Sequence, residues 1–208
     1  MNDMSRRTFV GFVAATAVCA GVGGCGVIFG GDGEGLLRPP GAQDEDRLLS
    51  ACVKCDRCRS VCPTGVIGVA DLEDGFLRAR TPILDFHQGI CDFCGKCRDV
   101  CMTGAIRSFD SDTDKIGVAI IQTDRCLAYV ESCTECVEAC PYEAISLDGS
   151  EHPIVDAEAC NGCGECENIC PALVYRSFAG GTRRGVVVVP YGEYERIGST
   201  SVDGGDEA

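Results

Sequence analysis

Tryptophan is missing from this chain, and histidine occurs only at His87 and His152. Positive charge is scarce as well: 18 lysines and arginines stand against 32 acidic residues, a net charge of -14. Such a chain is repelled by phosphate, which argues against a nucleic-acid-binding role and against docking on anionic lipid through basic patches. The plain role of the acidity is solubility. No glycine-rich loop follows a strand in the way a nucleotide site requires, and no C-x3-C-x2-C run points to radical chemistry. What is abundant is cysteine and glycine, 18 and 27 residues. At 208 residues with 45% hydrophobic content, one or two ordered domains are expected. The cysteine and glycine content points to a fold held together by something other than a large apolar core.

The cysteines are grouped. "CVKCDRCRSVCP" carries Cys52, Cys55, Cys58 and Cys62, and "CDFCGKCRDVCM" carries Cys91, Cys94, Cys97 and Cys101. "CNGCGECENICP" repeats the spacing at Cys160, Cys163, Cys166 and Cys170. "CTECVEACP" holds Cys133, Cys136 and Cys140, with Cys126 seven residues ahead of Cys133. An exported chain with an even count could use a disulfide framework. Zinc sites more often separate two C-x-x-C pairs by a dozen residues or more. The run C-x2-C-x2-C-x3-C-P is instead the bacterial [4Fe-4S] spacing, in which a tight loop wraps three irons and the fourth cysteine serves the partner cluster. Sixteen cysteines are thus the candidate ligands of four [4Fe-4S] clusters. The proline after the fourth cysteine suits a helix start. Gly95 and Gly164 let the loop backbone approach the inorganic core. With these sets complete, neither His87 nor His152 is needed as a ligand, and both are expected on the surface or in loops.

The repeat continues past the cysteines as "PTGVI", "MTGAI", "PYEAI" and "PALVY". Apolar pairs such as Val66-Ile67 and Ala144-Ile145 are expected to pack against a cluster. "ISL" and "PIV" flank a turn at "DGSE" and read as a hairpin. "KIGVAIIQTDRC" reads as a strand entering its loop. The expected fold class is α+β: ferredoxin-like repeats of short antiparallel strands and short helices around two cluster pairs. Spacing leaves the pairing of groups open. The layout resembles that of the electron-transfer subunits of complex molybdenum enzymes, which favours nested pairing, group 1 with 4 and 2 with 3, over sequential pairing.

The N-terminus has paired arginines, Arg6 and Arg7, after Ser5 and before Phe9 and Val10, then an apolar run to about Ile28. It has the parts of a secretory signal and resembles a twin-arginine leader, which exports folded proteins; a retained membrane anchor is the alternative. Cys19 and Cys25 fall within it, outside the cluster set. "VGGC" at Cys25 resembles a lipoprotein processing site, so Cys25 is a candidate lipidation site. The expected organisation is a leader over 1–30, a linker over 31–47 stiffened at Pro39-Pro40, a four-cluster domain over 48–178, and a C-terminal strand and disordered tail over 179–208. Arg183-Arg184 read as solvated charges before an edge strand, Val186 to Val189, and the tail from about Ile197 as disordered.

After such a leader, "LRPPGA", "SACVKCDRCRSVCP", "GVAIIQTDRCL" and "IVDAEACNGCGECENICP" resemble the MauM/NapG family, ferredoxin-type proteins of periplasmic nitrate reductase and methylamine dehydrogenase systems. The resemblance runs to about residue 178. It implies a periplasmic or otherwise extracytoplasmic electron carrier with four [4Fe-4S] clusters. Its partners would be a polytopic membrane quinol-oxidising protein and a periplasmic molybdenum reductase or that enzyme's electron carrier. The chain departs from the pattern at Met102, which replaces a proline, and at the long Cys126–Cys133 interval. The leading functional expectation is a non-catalytic relay. The alternative is the electron-transfer subunit of an exported molybdenum oxidoreductase, of the dimethyl-sulfoxide reductase or formate dehydrogenase type. An assembly factor with structural clusters is a third idea.

Overall fold

The computed structural model describes residues 35–111, 113–172 and 184–200, with side chains to residue 197. The leader, with Arg6, Arg7, Cys19 and Cys25, lies outside the described residues, as does Arg183. Among the described residues, six short helices and six short strands are defined at both ends. They are α1 Glu45–Ala51, α2 Arg57–Val61, β1 Ile67–Val69, β2 Pro82–Leu84, α3 Lys96–Asp99 and β3 Gly117–Ile121. After a 3-10 turn at Leu127–Tyr129 come α4 Glu135–Glu138, β4 Ile145–Leu147, β5 Pro153–Val155, α5 Glu165–Ile169, β6 Val186–Pro190 and α6 Tyr191–Thr200. This is the expected α+β architecture.

The strands form three two-stranded antiparallel sheets: β1 with β2, β4 with β5, and β3 with β6. Isolated two-stranded ribbons are marginal in water. The β4–β5 hairpin is the one expected at "ISL" and "PIV". Its turn is tied by Asp148, whose carboxylate accepts from the Ser150 and His152 amides at 2.7 and 2.9 Å. Strand β3 is the expected run into the third cysteine loop, and β6 covers it, with Val118 opposite Val189 and Ile120 opposite Val187.

The chain folds as a repeated module. In the second module, β3, group 3, the β4–β5 hairpin, group 4 and β6 follow in order, and β3 and β6 close the ends together. The first module repeats the plan with group 1, the β1–β2 hairpin and group 2. Its closing contact is made by the Arg107 amide, which donates to Gly41 O at 2.9 Å. Gly41 sits at φ +80°, and a Cβ there would lie 2.3 Å from Arg107 O, so only glycine fits.

The stretch expected as a linker is therefore folded in from residue 35. Pro39 and Pro40 are fully buried, and the Leu84 amide donates to Leu37 O at 2.8 Å. Arg38, 3% exposed, grips Glu45 with two bonds, Nε–Oε2 2.8 Å and Nη2–Oε1 2.6 Å. Its Nη1 donates to Thr81 Oγ1 and Pro82 O at 2.8 and 2.9 Å. One guanidinium thus ties the entry segment to the start of α1 and to β2, and its planar fork suits that task. Asp44 caps α1 by accepting from the Arg47 amide at 3.1 Å.

Two further expectations change. Arg184 is buried rather than solvated and donates to the carbonyls of Glu167 and Asn168, capping the end of α5. The expected disordered tail from Ile197 is helical as far as Thr200; residues 201–208 lie outside the described set. Residues 70–80 belong to a separate unit. They form a turn-rich excursion closed by the Arg80 amide on Ala70 O at 2.8 Å, with Leu72, Phe76 and Leu77 exposed. Among the described residues no helix is long and apolar enough to cross a membrane.

The core is thin and mixed. Leu48, Val66, Ile67, Phe86, Ile106, Val118 and Ile145 are buried together with Cys97, Cys136, Cys160 and Cys166. Arg38→Ala leaves the Thr81 hydroxyl, the Pro82 carbonyl and the Glu45 carboxylate without their common partner. Denaturant unfolding should show a loss of about 3 kcal/mol. Arg38→Lys, which keeps the charge but not the fork, should recover less than half of that loss in the same titration.

Candidate metal centres

In three of the four groups the backbone of the cysteine loop is set by a repeated conformation. The residues on either side of the second cysteine both have positive φ: Lys54 and Asp56, Phe93 and Gly95, Gly162 and Gly164. Three of these sites, Lys54, Asp56 and Phe93, are not glycine and are costly. They turn successive N–H groups toward the inside of the loop, the arrangement that makes an anion-binding concavity. The third group lacks the pattern. Thr134 has φ -122°, and the loop opens over the longer interval from Cys126 instead.

The third cysteine of each group lies in a short helix, and that helix ends at or just before the fourth. Cys62 and Cys170 are the C-caps of α2 and α5. At Pro63 and Pro141 the proline therefore follows a helix end rather than starting a helix, whereas at Pro171 the next residue, Ala172, is helical as expected. At the first two it is a stop signal, suited to a position where no further helical N–H is required. Met102 in its place costs nothing in the helix, and its sulfur accepts from Arg57 Nη1 at 3.2 Å. Gly164 also differs from expectation. A Cβ there would lie 2.0 Å from Phe86 Cδ1, so this glycine admits an aromatic ring of the first module.

The thiols converge in sets that cross between groups. Cys62 lines one pocket with Cys91, Cys94 and Cys97, under Val66, Ile67 and Leu84. Cys140 lines another with Cys160, Cys163 and Cys166, under Ala144 and Ile145. Cys170 lines a third with Cys126, Cys133 and Cys136, under Ala172 and Val186. The same exchange assigns Cys101 to Cys52, Cys55 and Cys58. Its neighbours agree: Arg57 reaches Met102, and Arg47 of α1 donates to Gly104 O at 2.9 Å. The apolar pairs Val66-Ile67 and Ala144-Ile145 thus pack on the pockets as expected. The nested pairing does not hold. Group 1 exchanges with group 2 and group 3 with group 4, because each hairpin is short and folds consecutive groups onto each other, with α2 against α3 and α4 against α5. Cys126 joins its set across the longer loop.

The chemistry of these sets fits a polynuclear iron–sulfur cluster. The structure records the sixteen residues as thiols rather than disulfides. Among the described residues no group of three or more His, Cys, Asp or Glu side chains is placed to hold a single metal ion. Burial pushes the Cys58, Cys97 and Cys163 thiols up to about 11, and neighbouring cysteines add to it. Burial likewise pushes Cys91 and Cys136 up to about 12, and raises Cys166 further still. Four thiolates side by side in such a pocket need positive charge among them, which the irons of a [4Fe-4S] cluster supply when bound.

Sequence reasoning missed the groups that bond to sulfur. Burial alone would raise Cys62 and Cys101, but hydrogen bonds from the residues that follow outweigh it and hold both thiols below their usual range. Thr64 Oγ1 lies 3.4 Å from Cys62 Sγ, and Thr103 Oγ1 lies 3.7 Å from Cys101 Sγ. The Ile106, Ala144 and Gly185 amides donate to Cys101, Cys140 and Cys170 at 3.4, 3.3 and 3.3 Å. The threonine two residues after the fourth cysteine in both "PTG" and "MTG" was the available signal. His87 is exposed and 3.9 Å from Glu167, and His152 stacks on Tyr129 at 4.0 Å; neither lines a thiol pocket.

Paired thiol sets that exchange their fourth ligand, on hairpin-linked modules, define an iron–sulfur electron carrier of the dicluster ferredoxin type. The 4Fe-4S dicluster domain family matches residues 51–105, 90–144 and 130–174. The windows overlap because each group can serve as either half of the motif, and the geometry settles which pairs form. The chain is 34% identical to the ferredoxin-type protein NapG of Escherichia coli (strain K12) over 189 residues, 79% of this chain and 80% of that protein. It is 36% identical over 150 residues to the methylamine utilization ferredoxin-type protein MauM of Paracoccus denitrificans (strain Pd 1222), 64% of this chain and 66% of that protein. A NapG of Haemophilus influenzae is 30% identical over 191 residues, 79% of this chain and 67% of that protein. The chain belongs to the MauM/NapG family of ferredoxin-type proteins.

Double substitutions separate sequential from nested pairing. Cys62→Ser with Cys91→Ser strikes one set twice and should remove one cluster's share of iron. Cys62→Ser with Cys160→Ser strikes two sets and should remove two. Iron and sulfide counts on the purified variants check this, and nested pairing gives the opposite result.

Proposed function

We propose that the chain holds four [4Fe-4S] clusters on the sixteen cysteines and serves as a non-catalytic electron relay. It would work on the extracytoplasmic face, between a membrane quinol-oxidising partner and a terminal oxidoreductase of the nitrate-reductase kind. The observation that carries this reading is that the cysteines from Cys52 to Cys170 fall into four sets of four, in modules too thin to shield a substrate pocket as well. Electrons enter and leave such a protein one at a time, and the chain's own work is to fix spacing, shield the sets and offer docking surfaces.

The two outer rims differ in charge. Lys54, Arg57 and Arg59 follow one another in the loop of the first set, with both arginines exposed, whereas Glu131, Glu135 and Glu138 are exposed around the third. Rims of opposite sign suit two different partners, one at each end, since charge steers encounter and penalises the wrong partner. Sequential pairing weakens the alternative reading, because the nested layout was what tied the chain to the subunits of molybdenum enzymes. Export rests on Arg6-Arg7 in the leader, with Cys25 as a possible lipid tether. A chain carrying Arg6→Lys and Arg7→Lys that still reached the extracytoplasmic fraction would remove twin-arginine export from this account.

The deciding experiment is an anaerobic redox titration followed by EPR, with iron counted on the same sample. Four clusters are expected, at least one of them reducible by a quinol. If every cluster stayed oxidised in the presence of quinol, the donor would have to be a stronger reductant and the quinol-to-reductase placement would fall.

A further inference from the structure

The two modules meet at ligand residues. The amide of Cys91, in the second set, donates to the carbonyl of Cys163, in the fourth, at 2.9 Å. Around this bond the contact is built from both sides. The Phe86 ring, 2% exposed, lies on the Gly164 backbone, where no side chain larger than hydrogen fits. Asn168 Nδ2 of α5 donates to Phe86 O at 2.8 Å, and His87 comes within 3.9 Å of Glu167. The other two sets are anchored within their own modules. The first lies against α1 and the segment after Cys101, through Arg47 on Gly104 O. The third lies against Ala172, Gly185 and Val186.

We propose that the four sets form one row in the order first, second, fourth, third, with the Cys91–Cys163 peptide contact as its inner joint. This order differs from the order of the groups in the sequence, and it rests on the four-cluster reading above. Within each module, the exchanged fourth cysteine makes the two sets neighbours. Between modules, the path from Cys91 Sγ to Cys163 Sγ runs through each residue's own Cβ, Cα and peptide and crosses a single hydrogen bond. Bonds carry electronic coupling better than empty space does, so this contact is the shortest bridge between the modules. The step it serves is simple in balance. One electron leaves the iron held by one set and arrives at the iron held by the other, with no bond made or broken and no proton moved. Phe86, Gly164 and Asn168 are positioning residues: they hold the joint closed and touch no reacting atom. The first and third sets are then the two ends of the row, which are also the two sets with rims of opposite charge.

EPR on the dithionite-reduced holoprotein tests the order, with iron and sulfide counted first. Missing iron would report against the four-cluster reading itself, separately from any result on order. In a chain whose outer sets are removed by Cys55→Ser, Cys58→Ser, Cys133→Ser and Cys136→Ser, the two remaining clusters should split each other's signals. Adding Gly164→Ala, whose Cβ would collide with Phe86, should abolish most of that splitting at unchanged iron content. Two unsplit signals in the first variant would overturn the order, and splitting indifferent to Gly164→Ala would overturn the joint. If removing the outer sets unfolds the chain, Asn168→Ala in the full holoprotein asks the same question. It should speed deuterium exchange at the Cys91 amide and reduce the inter-module splitting, and no change in either would overturn the proposal.

Discussion

Like charges packed together in a dry place repel, and this chain brings sixteen potential thiolates into four sets. Protonation is one remedy: burial first, and neighbouring cysteines after it, push Cys58, Cys91, Cys136 and Cys163 upward. The other remedy is a positively charged centre shared by four sulfurs. The rest of the architecture follows from the second remedy. Helices of four or five residues and strands of three cannot bury enough apolar surface to hold themselves together. They are long enough to deliver three cysteines to one centre and the fourth to the next. The cluster takes the place of the large side chains the sequence lacks, and Val66, Ile67, Ala144 and Ile145 complete the wall around it.

The same constraint accounts for the backbone. A C-x2-C-x2-C loop must turn its sulfurs and its amides inward together, and alternating left-handed residues accomplish this. Glycine supplies the conformation without strain at Gly95, Gly162 and Gly164, while Lys54, Asp56 and Phe93 adopt it at some cost. The fourth cysteine sits differently, at a helix end where the following amides fold back over its sulfur. Those N–H···S bonds are the levers by which a protein tunes cluster potential. They fall mostly on the exchanged ligand, the residue that joins two sets, so tuning and coupling share one site in the fold.

Much of this was legible in the sequence. Cysteine spacing named the thiols that the fold gathers into sets, the alternation in "ISL" and "PIV" gave a hairpin, and "KIGVAII" gave a strand, because these are local signals with local causes. What escaped was set by contacts far apart in the chain. Which group pairs with which depends on how a hairpin folds its flanks together, and no spacing encodes that. Arg38 and Pro39-Pro40 read as a linker because proline and charge are common in linkers; Arg38 is held by Thr81, Pro82 and Glu45, and the prolines line the pocket of Cys62, Cys91, Cys94 and Cys97. Arg184 read as solvated because its partners are main-chain carbonyls, which look alike in every sequence. Gly164 was rightly singled out, but the reason for it is Phe86, seventy-eight residues away.

If the clusters stand in for a core, then the fold and the metal are one cooperative system. The most direct test is to follow far-UV circular dichroism while iron is withdrawn anaerobically by a chelator, with iron counted at each point. The account predicts that secondary structure is lost in step with iron, and that the stripped chain regains it only when iron and sulfide are restored. A chain that kept its spectrum after losing its iron would contradict this account, since the thin apolar core would then suffice to hold the fold.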